Sequence, residues 1–386
     1  MENIKKNLIQ HMETFCLKCG TRHSGADGEH MAADYMVEYL TGLGIPVVRE
    51  EFPTRGWKFE SIVFHNVTKD RPVTNASACF FSGSVDWEGK LLFIESWDLE
   101  KLAELPVAGQ VCFIKHIDSV FVHNRIAQEL EDLGAAAAIF VCGGIAVDAK
   151  VVRNSHLQRI ALATTDAYGA YEILDNPNDT YRLQIKAHSF DQMSCNVVAR
   201  LGKGSVKGVI GGHYDTAPLV QGANDNAAGT ITVLELARLM KDEDLDMTLD
   251  FVAFSGEEYM ADMEPMGSSA YIRAHKGEDI RWLLNSDGGG DDFCRRFVRI
   301  GLGEKLPPVD HGFAEIVDAP GGGDNVPFCK EGIPCIWPTY RPYLGVLHTE
   351  FDSIERINYD FLTETTLKAY TILQQLVAGT KTSACE

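Results

Sequence analysis

Two histidines and five carboxylates, His213, Asp215, Asp225, Glu257, Glu258, Asp287 and His348, carry the residue types and spacing of metal chemistry. Zinc takes imidazole nitrogen and carboxylate oxygen, and a catalytic site leaves one position open for water. Two such ions, about 3.5–4 Å apart, need one bridging carboxylate and one or two private ligands each. Asp225 can bridge; His213 and Asp287 could complete one metal, Glu258 and His348 the other. A water shared between the two would ionise near neutral pH and attack a carbonyl. Glu257, one residue from a ligand on a strand end, points elsewhere and is free to shuttle the proton, work that favours a pKa tuned upward. Asp215, two residues beyond His213, can accept the second ring N–H and fix the tautomer. Taken singly these signals are weak: a strand-end Asp is more often a cap, paired Glu residues are usually solvated, and a lone His is usually structural. The conjunction carries the reading.

What makes it a conjunction is the set of elements that must position these groups. Gly208 to His213 reads as a short buried strand, followed by a helix over Ala227 to Met240 with Ile231, Leu234, Leu236 and Leu239 on its apolar face. Leu249 to Ser255, Trp282 to Ser286 and Ile333 to Trp337 read as further strands, and Tyr359 to Val377 as a closing helix. Strand–helix alternation of this kind predicts an α/β fold, a mixed, mostly parallel sheet flanked by helices. Sites in such sheets collect at the carboxyl ends of strands, where the candidate ligands fall. Residues 1–60 read as a helix, a loop and a second helix, with Met31, Tyr35, Met36 and Leu40 at helical spacing and an end near Gly42; a short strand, Ile45 to Glu50, follows. From about 66 to 190 the pattern changes to short apolar strands (Lys90–Glu95, Gln110–Ile114, Ala136–Val141) and one helix, Arg125–Leu133, with no clustered ligands; this reads as an inserted β-rich domain. The division expected is 1–65 with 191–386, and 66–190 inserted.

Composition narrows the class. With 386 residues and 45% hydrophobic content the chain can bury a large core. A net charge of -20 repels phosphate backbones and anionic membranes, so neither nucleic acid nor membrane is an expected partner. The amino-terminal stretch lacks an apolar signal core, and no window reaches the length of a membrane span, so a cytoplasmic location is expected. The ten cysteines are dispersed, several inside apolar runs, which fits reduced buried thiols; Cys16-x-x-Cys19 has no second pair nearby to complete a metal site. Gly202, Gly204 and Gly208 precede a strand, which suits a hairpin turn better than a nucleotide loop.

The chain resembles the co-catalytic dizinc exopeptidases of metallopeptidase family twenty-eight, in the form with a protease-associated (PA) domain insertion. The matching segments are Gly212-His213-Tyr-Asp215, Gly222-Ala-Asn-Asp225-Asn-Ala-Ala-Gly, Glu257-Glu258 with Gly267-Ser-Ser-Ala-Tyr, Asn285-Ser-Asp287, Gly323-Asp324-Asn325-Val-Pro-Phe, Gly332-Ile-Pro and His348-Thr-Glu-Phe-Asp352. Gly20-Thr-Arg-His-Ser-Gly and its helix also fit, and Gly134-Ala-Ala-Ala-Ala-Ile gives a looser match to a PA domain. The twelve residues from His213 to Asp225 discriminate this family from other dimetal peptidases. The resemblance implies a phosphorylase/hydrolase-like zinc peptidase core, two divalent ions (zinc expected; cobalt or manganese open), His213, Asp225, Glu258, Asp287 and His348 as ligands with Asp225 bridging, and Glu257 as general base. Two departures stand out. Leu347 replaces the Tyr that usually precedes the last His ligand and helps stabilise the oxyanion, so Tyr340 or Tyr343 could substitute; Gly323 replaces a usual Ser. Asp324 and Asp352 are candidate supporting residues.

The function expected is hydrolysis of a terminal peptide bond, most simply removal of amino-terminal residues. A carboxypeptidase would need a base such as Arg295, Arg296 or Arg341 to hold the substrate carboxylate. A glutaminyl-cyclase-like acyltransferase and a non-enzymatic binding protein are disfavoured by the complete ligand set. The substrate expected is a peptide, and a homo-oligomer is open. The insertion could shield the site, select substrate length or form a dimer contact.

Overall fold

The computed structural model describes residues 2–115, 120–142, 147–148, 150, 152, 159–258, 260–261, 264–319, 322–342 and 345–383. A central sheet runs through the molecule in the order Ile316–Asp318, Cys294–Gly301, Cys335–Pro342, Asp279–Asn285, Val206–His213, Thr248–Phe254, Tyr181–Leu201, Val47–Asn66, Arg71–Pro72. Its middle is parallel: Val206–His213 pairs in parallel with both Thr248–Phe254 and Asp279–Asn285, and the latter with Cys335–Pro342. Antiparallel neighbours close both sides. These middle strands are buried along nearly their whole length because both faces are covered, and they are mainly apolar as buried parallel strands require.

One face is covered by the helices Glu2–Glu13, Asp27–Gly42, Gly229–Met240 and Tyr359–Ser383, which interlock Leu8, Met12, Phe15, Ile231, Leu236, Leu373 and Leu376. On the other face the short helices Met266–Ala274 and Asn325–Lys330 bring Tyr271 and Phe328 against Phe254, Leu283 and Val209. Gly229–Met240 is buried on nearly every side, not along a single stripe, because it lies between the sheet and the three other helices of this face. Asp27–Gly42 buries Ala32, Ala33, Met36 and Leu40 while Met31 is exposed, so its inward face is rotated from the one expected.

The short strand expected over 45–50 is instead a 20-residue strand, Val47–Asn66, paired antiparallel along nearly its whole length with Tyr181–Leu201. This two-stranded ribbon belongs to the central sheet at one end. At the other end Phe64, Tyr181, Leu183 and Ile185 pack into a separate apolar cluster. Beyond the ribbon lies a second sheet, ordered Ala76–Ala78, Ala161–Thr165, Ala137–Val141, Val111–Lys115, Leu92–Glu95, with parallel pairing except at its first strand. The helices Val120–Asp132 and Ala167–Leu174 accompany it. The intervening segment thus combines this sheet with helices. Among the described residues no helix is long and apolar enough to cross a membrane.

Candidate metal centre

Four adjacent strands end on the same edge of the sheet, and each delivers a functional group. Val206–His213 ends on His213 itself, and Thr248–Phe254 runs through Ser255 and Gly256 into Glu257 and Glu258. Asp279–Asn285 is followed by Ser286 and Asp287, while Cys335–Pro342 leads into the loop that carries His348. Gly256 has φ +73°, a left-handed turn that glycine makes at no steric cost, and it aims the Glu pair back over the sheet edge. His348 is held at φ +62°, an uncommon conformation for a residue with a side chain, of the kind that surrounding structure must enforce.

His213, Asp225 and Asp287 offer ligand atoms that all lie within 4.8 Å of one another, and so do Asp225, Glu258 and His348. Asp225 joins the two groups: its Oδ1 is 3.2 Å from His213 Nε2 and its Oδ2 3.1 Å from His348 Nε2. His213 Nε2 is 4.0 Å from Asp287 Oδ1, and His348 Nε2 is 3.7 Å from Glu258 Oε2. All five expected ligands therefore converge. Asp215 accepts the backbone N–H groups of Glu257 and Glu258 at 3.2 and 3.0 Å, and its carboxylate stands 3.4 Å from His213 Nδ1. One side chain thus sets both the imidazole and the Glu pair. Glu257 lines the adjoining cavity without entering either ligand group.

The loop carrying Asp225 is fixed by its neighbours. Asp352 accepts the backbone N–H of Asn224 at 2.7 Å and of Asp225 at 3.0 Å. Asn226 Oδ1 accepts from Gly229 N and Gly288 N while its amide donates to Ser286 O, tying the loop to the end of the Asp287 strand. Gly229 permits this closeness, since a Cβ there would meet Asn226 Oδ1 and Ser286 O at 2.2 Å. From below, the buried Arg22 guanidinium donates to the carbonyls of Phe15, Gly20, Tyr214, Gln221 and Gly222. Asp324 is buried beside the site.

Electrostatics show what the groups lack. Burial opposes charge on His213, but hydrogen bonding to Asp215 and Asp225 raises its pKa well above that of ordinary imidazole. Against burial, His213 and His348 hold the Asp225 carboxyl well below the usual range. Burial, then the Asp225 charge, pushes Asp287 up to about 8. Asp352 rises to about 7 by burial and the same charge, and Asp324 to about 7 by burial despite His213. Buried acids packed this closely hold protons more tightly, because each charge opposes the next. His213 Nε2 and Glu258 Oε2 are buried and receive no well-directed hydrogen bond, contacting Asp225 and Lys150 only as ion pairs. The donor set, two imidazoles and three carboxylates in two groups that share Asp225, fits a pair of divalent ions.

Lys150 and Asp148 were invisible to sequence reading, which found no clustered ligands between 66 and 190. Lys150 is buried; its ammonium pairs with Glu258, lies 3.8 Å from Glu257 Oε2 and 3.3 Å from His348 Nε2. Asp148 Oδ2 stands 3.5 Å from His348 Nδ1. No local motif marks either residue, because only the tertiary fold brings that segment to the site. A cavity of about 360 Å³ opens beside the centre, lined by Lys150, Glu257, Arg299, Trp337, Arg341 and Leu347 among others. Tyr340 also lines it, with its buried hydroxyl unpartnered, whereas Tyr343 lies outside the described residues.

Comparison with known proteins places this arrangement beside peptidases. Residues 196–372 match the model of Peptidase family M28. Aminopeptidase YwaD of Bacillus subtilis is 31% identical over 170 residues, 39% of this chain and 36% of that protein. The probable lipoprotein aminopeptidase LpqL of Mycobacterium tuberculosis is 26% identical over 269 residues, 66% of this chain and 51% of that one. The chain thus spans a third to a half of the length of these curated relatives. In fold it is similar to BSAP, a zinc aminopeptidase from Bacillus subtilis (TM-score 0.77, 20% identity, covering 97% of this chain and 95% of that one). It is also similar to a Peptidase M28 precursor from Shewanella amazonensis (TM-score 0.78, 17% identity, covering 98% and 96%).

Proposed function

We propose that the chain is a two-metal aminopeptidase that removes residues from the amino terminus of peptides. The observation that carries this reading is Asp225, whose two oxygens face two different imidazoles about 3 Å away, each within its own ligand group. His213 and Asp287 would hold one divalent ion and Glu258 and His348 the other, with Asp225 shared; the oxygen and nitrogen donors, and the relatives named as zinc enzymes, favour zinc. When bound, the ions supply Lewis acidity for the scissile carbonyl and acidity for a water. Glu257, beside both groups and open to the cavity, takes the proton from water and hands it to the leaving amine. Asp215 keeps the His213 ring oriented and holds the backbone beneath Glu257. Leu347 lines the cavity where a tyrosine would help an oxyanion; Tyr340, whose hydroxyl has no partner, is the available replacement.

Residues 66–190 we read as a PA-like insertion between the two parts of the peptidase domain, 1–65 and 191–386. The nine described cysteines are all free, which supports the reading of a reducing, cytoplasmic location; one relative is by name a lipoprotein, so cell fractionation is the check.

The test is release of free amino acid from unblocked peptides by the zinc-loaded protein. Peptides with an acetylated amino terminus should resist and those with an amidated carboxyl terminus should be cut; the reverse pattern means a carboxypeptidase. Chelator and Glu257→Gln should each abolish release, and full activity of Glu257→Gln overturns the assignment.

A further inference from the structure

The cavity beside the metal centre has one cationic wall. In the antiparallel pair Cys294–Gly301 and Cys335–Pro342, Arg295 lies opposite Arg341, Phe297 opposite Thr339, and Arg299 opposite Trp337. Alternate residues of a strand share a face, so three guanidinium groups stand on one side of the sheet. Arg295 is neutralised by an ion pair with Glu315. Arg299 and Arg341 both line the cavity, and among the described residues neither has an ion pair. The Arg299 guanidinium lies over the rings of Phe297 and Trp337, 5.3 and 5.5 Å from their centres, and its Nε is buried without a hydrogen-bond partner. Burial, then the neighbouring Arg341 and Arg295, lowers its pKa, while the acid that favours its charge, Asp287, is a proposed metal ligand. Like charges facing each other across strands destabilise a sheet. This chain keeps such a cluster, poor in counter-charge, on the wall of the cavity where substrate must lie.

We infer that Arg299 and Arg341 form an anion subsite that selects peptides presenting a carboxylate next to the scissile bond. The inference rests on the aminopeptidase reading above. A planar guanidinium, pre-set by aromatic stacking, suits a carboxylate better than any other peptide group because it can donate two parallel hydrogen bonds. The carboxylate has two sources, an acidic side chain on the residue beyond the cut or the free α-carboxylate of a dipeptide.

Four substrates separate these sources: the tripeptide amides Xaa-Gln-Ala and Xaa-Glu-Ala, and the dipeptide Xaa-Leu with and without carboxyl-terminal amidation, each made with Leu, Ala or Lys as Xaa. With zinc-loaded full-length protein, kcat/KM for the charged member of at least one pair should exceed that of its neutral partner by tenfold or more. The pair that shows the excess names the source. In Arg299→Gln and Arg341→Gln that ratio should fall to within about twofold of one, with metal content and melting temperature unchanged. Ratios near one for both pairs in the wild-type protein overturn the subsite while leaving the peptidase reading intact. Failure to cut any of the peptides overturns the peptidase reading and the subsite with it. Should the Gln variants misfold, the wild-type ratios decide.

Discussion

At the scale of single residues, the predictions follow from two imidazoles and three carboxylates held in two groups that share Asp225. Glu257→Gln should lower kcat by roughly 10²–10⁴-fold, the usual worth of a positioned general base, while elemental analysis still finds two ions per chain. Asp225→Ala should lose both ions, since its two oxygens serve both groups. The carboxylate partners of His213 and His348 raise both pKa values, outweighing burial. Metal must therefore displace protons: affinity should rise with pH and fall as the imidazoles protonate, and calorimetry in buffers of different ionisation enthalpy should read proton release. Lys150 already places an ammonium against Glu258 and His348. Removing that competitor with Lys150→Met should tighten the site formed by Glu258 and His348 by roughly tenfold, about 1.4 kcal/mol, in a metal titration; unchanged or weaker binding would show that Lys150 supports the site instead.

At the scale of elements, the strands that carry the candidate ligands are braced by a second polar network at their opposite ends. Asp250, buried within Thr248–Phe254, accepts two hydrogen bonds from Arg200 at 2.7 and 2.8 Å and one from Tyr271 at 2.7 Å, and pairs with Lys207 at 2.7 Å. Asp250→Ala removes the carboxylate shared by Arg200, Lys207 and Tyr271, leaving Lys207 its pairing with Glu278, and should cost about 3 kcal/mol in urea denaturation, the lower end for a broken buried pair. Burial works against the Asp250 charge, yet Arg200, Lys207 and Tyr271 depress its pKa. A depressed carboxyl stabilises the fold above its unfolded value near 4, and that contribution is lost as pH falls through the folded value. Wild-type stability should therefore drop on acidification, and Asp250→Ala should flatten the part owed to this residue. The parallel strands were legible in the sequence because each is a short apolar run with its functional group at the carboxyl end. The ribbon was not: Val47–Asn66 mixes exposed and buried residues with a bulge between Phe59 and Ser61, so neither alternation nor a continuous apolar run marks its length. Asn224 and Asn226 also escaped, since an Asn beside a ligand reads as turn chemistry until its partners on the Asp287 strand are known.

For the whole molecule, the proposed ions act as staples between segments far apart in sequence, and the fold should depend on them. Ligands that bind only the native state stabilise by about 2.7 kcal/mol at one hundred times the dissociation constant. Stripping metal with chelator should lower the melting temperature by several degrees, and zinc should restore it; a chelator-insensitive melting curve would argue against tight metal binding. Order along the chain also sets a timetable for assembly. The hydrogen-bonded partners Asn66 and Tyr181 enclose more than a hundred residues, and Val47 with Ala199 enclose still more. Zipping such distant strands requires closing a long loop, and chains dominated by pairings of that range fold slowly. If the enclosed segment collapses first, it brings its own ends together and shortens the loop, so the catalytic half inherits the kinetics of its guest. A mutation deep in the guest, far from any reacting atom, would then reveal itself as delayed recovery of activity after dilution from denaturant.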